Sequence, residues 1–229
     1  MVFLTQTHPF FRSVRFAALV ATAIVSTAPR ASAQDVPPEN LPIGRYVADT
    51  RFTFPKFKQD AGTADAIGVT PLNLPTRALG FVIGAHWYPV RLGIVTFGLG
   101  GEISAAGRGH TLNTGTDAAP VNVTVNSRFA TISPQVSFNF GARDGWSYIS
   151  GGIGSSTFTA ERADQPLPDQ ETRSKTINYG GGARWFAKKH LAVSMDLRFY
   201  AVNPQLATAT RPAFPRMTLM AFSVGAALR

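Results

Sequence analysis

Thr131-Ile132-Ser133-Pro134-Gln135-Val136-Ser137-Phe138-Asn139-Phe140 decides the fold of this chain. Ile132, Pro134, Val136, Phe138 and Phe140 stand on one parity, and Thr131, Ser133, Gln135, Ser137 and Asn139 on the other. A period of two sends alternate side chains to opposite faces of a strand, so this stretch is a strand with one apolar and one polar face. It lies in a segment spanning 128–140, and seven more segments repeat the pattern at 46–54, 78–88, 94–105, 146–159, 176–186, 191–201 and 217–228. Each reaches or slightly exceeds the about 9 to 11 residues that a tilted strand needs to cross a bilayer.

The connectors alternate in length without exception. Long loops at 56–77, 107–126, 160–175 and 202–216 are separated by short turns at 89–93, at Asp144-Gly145 and at 187–190. An up-and-down meander puts every odd connector at one end and every even one at the other, which is the asymmetry of membrane barrels with short periplasmic turns and long extracellular loops. A two-sheet sandwich has no cause to sort its loops this way. The expected fold is therefore all-β, an eight-stranded antiparallel up-and-down transmembrane β-barrel over 45–229.

In that setting the face assignment inverts relative to a water-soluble protein. Segment 191–201 opposes Leu191, Val193, Met195, Leu197 and Phe199 to Ala192, Ser194, Asp196, Arg198 and Tyr200. The first set suits lipid and the second a narrow interior. Segment 146–159 fits least easily, with Trp146 and Tyr148 on one parity and Ile149 and Ile153 on the other, and a bulge or a glycine kink near Gly151-Gly152 is expected there. Aromatic residues gather at strand ends as an interfacial girdle requires: Tyr46, Trp87, Trp146 and Trp185 toward the periplasmic rim, and Phe52, Phe54 and Phe199 toward the outer one.

Residues 1–33 read as a secretory signal peptide: Arg12 and Arg15 precede an apolar run from Phe16 to Ala28, too short to span a bilayer, and Ala31-Ser32-Ala33 is a small-x-small cleavage site. A Pro-rich segment, 34–44, leads from it to the barrel. The whole chain carries a net charge of +9, and the leader's three arginines account for the difference from +6 in the remainder. Export and the scatter of the basic residues argue against nucleic acid and for anionic lipid head groups. With no cysteine there is no disulfide framework or lipidated N-terminus.

Tyr179-Gly180-Gly181-Gly182-Ala183-Arg184-Trp185-Phe186, then Lys188-Lys189-His190-Leu191, then Met195-Asp196-Leu197-Arg198-Phe199-Tyr200 resembles the closing hairpin of the small eight-stranded outer-membrane barrels, the membrane domain of outer-membrane protein A and its OmpX-like relatives. The resemblance covers essentially the whole chain after the leader. It implies residence in the cell outer membrane of a Gram-negative-type envelope, lipid and lipopolysaccharide as surroundings, insertion by the barrel-assembly machinery, and action as a monomer without cofactor. Relatives usually close on an aromatic residue, whereas this sequence has Phe222, Val224, Ala226 and Leu228 on one parity and then Arg229; the peptidoglycan-binding domain of the longer relatives is expected to be missing.

Chemistry, if any, belongs to the interior. Asp49, Arg51, Glu102, Arg184, Asp196 and Arg198 all fall on the inward parity. Buried charges must pair, since an isolated buried ion costs several kcal/mol. Asp49 with Arg51, and Asp196 with Arg198, can pair within a strand, while Glu102 needs an arginine from elsewhere: Arg198 at a similar height, or Arg51. The reading is a structural or surface-interaction barrel, with a narrow ion-pair-gated channel as the alternative and a lipid A-modifying enzyme behind both. His86, His110, His190, Ser147 and Ser194 form no nucleophile-base-acid set at one depth, so no catalytic residue is assigned. No Cys, paired His or carboxylate cluster has metal-ligand spacing, and the loop residues Asp60, Asn113 and Asp169 show no recognition pattern.

Overall fold

A computed structural model describes residues 41–113, 121–165, 173–207 and 213–229. The signal-peptide reading, Asp169 and parts of the loops at 107–126, 160–175 and 202–216 lie outside the described residues. Eight strands follow in order: β1 (Tyr46–Lys56), β2 (Leu79–Leu92), β3 (Val95–Asn113), β4 (Asn122–Ala142), β5 (Gly145–Arg162), β6 (Ser174–Phe186), β7 (Leu191–Val202) and β8 (Met217–Leu228). Each pairs antiparallel with the next, and β8 pairs with β1 from Ala48↔Leu228 to Lys56↔Met220, so the sheet closes as an eight-stranded barrel.

The two faces are sorted as the inversion requires. Ile83, Ile103, Ile132, Ile149 and Ile177 are each more than half exposed on the outside, while Ser133, Asn139, Asn178 and Ser194 are 0% exposed within. A water-soluble barrel would bury its apolar parity. Here the outer wall is an apolar band and polar side chains line the middle of the interior, the arrangement that lipid selects.

Two expectations about the strands need correction. First, β5 has no bulge: its register to β6 is unbroken from Gly145↔Trp185 to Ser156↔Ser174, because Trp146 and Tyr148 both point inward while Ile149 and Ile153 both point outward. Among the described residues the one register shift in the paired strands falls between Trp87 and Val90 on β2. Pro89–Leu92 consequently belong to β2, and the turn shrinks to Gly93-Ile94, with Gly93 at φ 60°, a left-handed conformation that favours glycine. Second, the loop expected at 107–126 is largely strand: β3 and β4 stay paired out to Asn113↔Asn122. Thr, Asn and Gly there read as loop residues, but a hydrogen-bonded ladder needs no apolar face once it leaves the membrane.

Of the expected girdle, Tyr46, Trp87 and Trp185 are exposed at the short-turn end, and Phe199 stacks on Tyr179 with ring centroids 5.4 Å apart. Trp146 is corrected: it is 3% exposed and faces inward, stacked on Phe186 at 5.2 Å and edge-on to Tyr88 at 6.0 Å. Parity overrides its position near the rim.

The segment after β1 does not wander as an open loop. It forms a short helix, α1 (Ala61–Ala66), capped by the Asp60 side chain accepting from the Thr63 amide at 2.8 Å, and a 3₁₀ turn at Pro71–Asn73. Phe57, Ala64, Ile67 and Leu74 from this segment are buried with Phe129, Phe158, Tyr200, Phe214 and Leu219 in one apolar cluster at the long-loop end.

Candidate functional site: the ionic interior

Each charged residue of the interior is put there by strand parity. Asp49 and Arg51 stand two apart on β1, Asp196 and Arg198 two apart on β7, Glu102 on β3 and Arg184 on β6, all 4% exposed or less. Space for them comes from inward glycines. A Cβ on Gly84 would lie 3.0 Å from Asp49 Oδ1, and one on Gly182 would lie 2.7 Å from the Tyr148 hydroxyl.

The six groups form one connected network. Arg51 is its hub: Nε lies 2.9 Å from Asp49 Oδ1, Nη2 donates to Glu102 Oε2 at 3.0 Å, and Nη1 lies 3.4 Å from Asp196 Oδ2. The contacts to Asp49 and Asp196 are ion pairs without hydrogen-bond geometry, since Nε and Nη1 have no hydrogen-bond partner. Arg198 lies 3.1 Å from Glu102 and donates to Asp196 at 2.9 Å, to Asn178 Oδ1 at 3.0 Å and to Ser150 Oγ at 2.9 Å. Arg184 donates to Asp49 Oδ2 at 2.5 Å and lies over the Tyr148 ring, 4.5 Å from its centroid. Tyr148 donates to Asp196 and Tyr200 to Glu102, each at 2.8 Å. Glu102 thus serves both arginines proposed for it. Three carboxylates and three guanidiniums balance, so the interior holds its ions without net charge.

Sequence reading missed Tyr148, Tyr200, Ser150 and Asn178 as partners of this network. Their inward parity was the available signal. It also missed what lies on either side of the ions. Toward the long loops sits the apolar cluster, with Phe57 and Phe158 centroids 5.5 Å apart, Phe158 and Phe214 5.8 Å, and Phe129 and Tyr200 5.3 Å. Toward the short turns lies a second cluster of Ile43, Val47, Tyr88, Trp146, Tyr148, Ala192 and Ala227, with Phe186 against it. Arg229 closes that end: its guanidinium stacks on Phe186 at 3.8 Å, donates from Nε to the Lys189 carbonyl at 2.7 Å, and also reaches the Arg143 carbonyl.

The residues weighed for catalysis are not brought together. His86 is buried in the interior beside Tyr88, Ser194 is buried on β7, Ser147 faces outward, His110 is exposed on β3, and His190 contacts the Arg229 carbonyl at 3.0 Å. No hydrogen bond joins a serine among these to a histidine in the described residues. Nor do the described residues gather three or more His, Asp or Glu side chains able to hold a metal ion.

No family model matches the sequence, and no curated protein matches it. Among solved structures the chain is similar to Neisserial surface protein A, at 10% identity over 80% of this chain and 96% of that one, TM-score 0.45. It is similar to OprG from Pseudomonas aeruginosa, at 12% identity over 82% and 97%, TM-score 0.43, and to Ail, the attachment invasion locus protein of Yersinia pestis, at 10% over 81% and 98%, TM-score 0.41. The chain is a closed eight-stranded antiparallel up-and-down β-barrel with apolar side chains on its outer wall and a paired ionic layer within.

Proposed function

We propose that this protein is a sealed outer-membrane barrel whose role is structural and exercised at its outer surface, through the folded platform that its long connectors build. The observation that carries this reading is the stacking of the interior. The neutral ionic layer lies between an apolar cluster and an aromatic floor, and both would have to part before an ion could cross. An eight-stranded interior is about wide enough for side chains alone. Reconstituted in planar bilayers, the full chain should show no unit conductance. Steady small openings abolished by Arg198→Ala would establish the gated-channel alternative, which the three-way pairing of Arg51 favours.

Orientation follows from the connector lengths, with the long-loop end outward and the short turns periplasmic. Lys56, Arg77, Arg128 and Lys175 are exposed around the outer end of the strands, where the phosphates of lipopolysaccharide would meet them. His110→Cys should be labelled on intact cells by a membrane-impermeant maleimide while Lys188→Cys stays protected. The reverse pattern would turn the barrel over.

A further inference from the structure

The short-turn end of the barrel carries a cleft of about 270 Å³ between the lead-in to β1 and the β6–β7 turn. Its walls come from distant parts of the chain: Arg45 precedes β1, Arg143 stands in the β4–β5 turn, Lys189 in the β6–β7 turn, and Arg229 follows β8. Closure of the sheet gathers them, because β8 lies between β7 and β1. Arg229 is the floor. Its side chain, stacked on Phe186 and donating to the Lys189 and Arg143 carbonyls, passes Gly44, where a Cβ would lie 3.6 Å from Arg229 Cδ. The Arg143 amide donates to the Leu41 carbonyl at 2.8 Å, which ties the lead-in to the same end.

The charge of the cleft is one-sided. Four cationic side chains line it, and the carboxylate near them is that of Asp144, 67% exposed and 3.6 Å from Arg229 Nη2. Among the described residues no acid forms an ion pair with Arg45, Arg143 or Lys189. Like charges gathered this way repel, and an anion seated among them removes that cost.

The mouth of the cleft sets the depth at which such an anion would lie. Tyr46 lines it, is 64% exposed, and pairs across to Trp87, 45% exposed on the same outer wall. Leu228, 55% exposed, stands on that wall between Ala48 and Leu191. Tyrosine and tryptophan collect where hydrocarbon meets head groups, so the cations sit at head-group level with an apolar wall beside them. A soluble anion would use the cations alone. A ligand with acyl chains uses both.

We propose that this cleft is a binding site for one anionic phospholipid of the leaflet that the short turns face. Its phosphodiester sits among Arg45, Arg143 and Lys189, whose guanidinium forks and ammonium suit phosphate oxygens, and its chains run along Tyr46 and Leu228. A zwitterionic head group brings an ammonium into the same cluster, with Asp144 alone to receive it. The proposal rests on the outer-membrane reading for the lipid beside the cleft.

The experiment places the full chain in nanodiscs of phosphatidylcholine with a minor share of phosphatidylglycerol and reads the lipid retained on the barrel by native mass spectrometry. One phosphatidylglycerol should be retained, favoured about tenfold over phosphatidylcholine once their proportions are allowed for. Arg45→Gln with Lys189→Gln should lower that retention by about tenfold, whereas Arg91→Gln, at the same end but outside the cleft, should leave it within about twofold. Amide exchange at 143–144 and 188–190 should slow when phosphatidylglycerol is present. An equal loss from Arg91→Gln would reduce the effect to diffuse charge and overturn the site, as would equal retention of the two lipids. Displacement of the lipid by glycerol 3-phosphate would make it a site for soluble phosphates and overturn the lipid assignment. A chain that never enters nanodiscs would defeat the membrane reading as well; one that enters and retains no anionic lipid defeats the proposal alone.

Discussion

The two walls of a single strand teach more than any pair of strands. On β7 the inner side chains Ser194, Asp196 and Arg198 are 2% exposed or less, while Val193 and Leu197 on the outer side are 48% and 41% exposed. Only the parity differs between them. Outside, stability comes from the match between apolar side chains and lipid, which tolerates exchange of one apolar residue for another. Inside, it comes from particular partners at particular distances, which tolerates almost nothing.

Breaking the inner wall at its hub should have the largest effect. Arg51→Ala leaves three carboxylates around an empty place and should destabilise the barrel by about 3–5 kcal/mol, read from urea unfolding in micelles. Next comes the outer wall: Leu197→Arg places a charge in the lipid-facing band and should cost about 2–4 kcal/mol. Ser194→Asn, one wall over, should cost about 1–3 kcal/mol by overpacking, because Ser194 is 0% exposed. If Ser194→Asn cost more than Leu197→Arg, the expected order would be reversed, and packing inside would outweigh a charge in the lipid-facing band. Glu102→Gln with Arg198→Met should be non-additive by about 0.5–3 kcal/mol, with the double variant milder than the sum. Additivity would mean that Glu102 depends on Arg51 and Tyr200 instead. The smallest effect is expected of Thr157→Val on the outer wall, within about 0.5 kcal/mol.

Period two, read with connector length, was enough to locate all eight strands and to turn the six charged residues inward, because both properties are local to each strand. Where a second rule competed with parity, parity was the better guide. Trp146 was assigned to the rim because tryptophan favours interfaces and the residue lies near a turn, yet it shares its parity with Tyr148 and Ser150 and is buried with them. The bulge expected in β5 had the same origin. The extensions of β3 and β4 were illegible for a different reason: outside the lipid the ladder continues on backbone hydrogen bonds alone, and Thr111 and Thr124, paired through their hydroxyls at 3.0 Å, carry no hydrophobic period. The cap was hidden because Phe57, Ile67 and Leu74 are spaced by neither helix nor strand and meet only through the fold. Which arginine each acid holds was beyond sequence for the same reason, since Asp49 and Arg184 are 135 residues apart.

That separation has a consequence for how the barrel is made. Asp49 and Arg51 belong to the first strand, yet Asp49 is held by Arg184 on the sixth and Arg51 approaches Asp196 on the seventh. A growing sheet cannot satisfy them by adding neighbours one at a time. Until β8 meets β1 these groups must keep their water, and dehydrating a half-built barrel would strand bare ions in a hydrocarbon setting. Closure and dehydration are thus one event, slow because the contacts are so distant in sequence. A missing or misregistered strand would leave members of the ionic layer unpaired, at several kcal/mol for each buried ion.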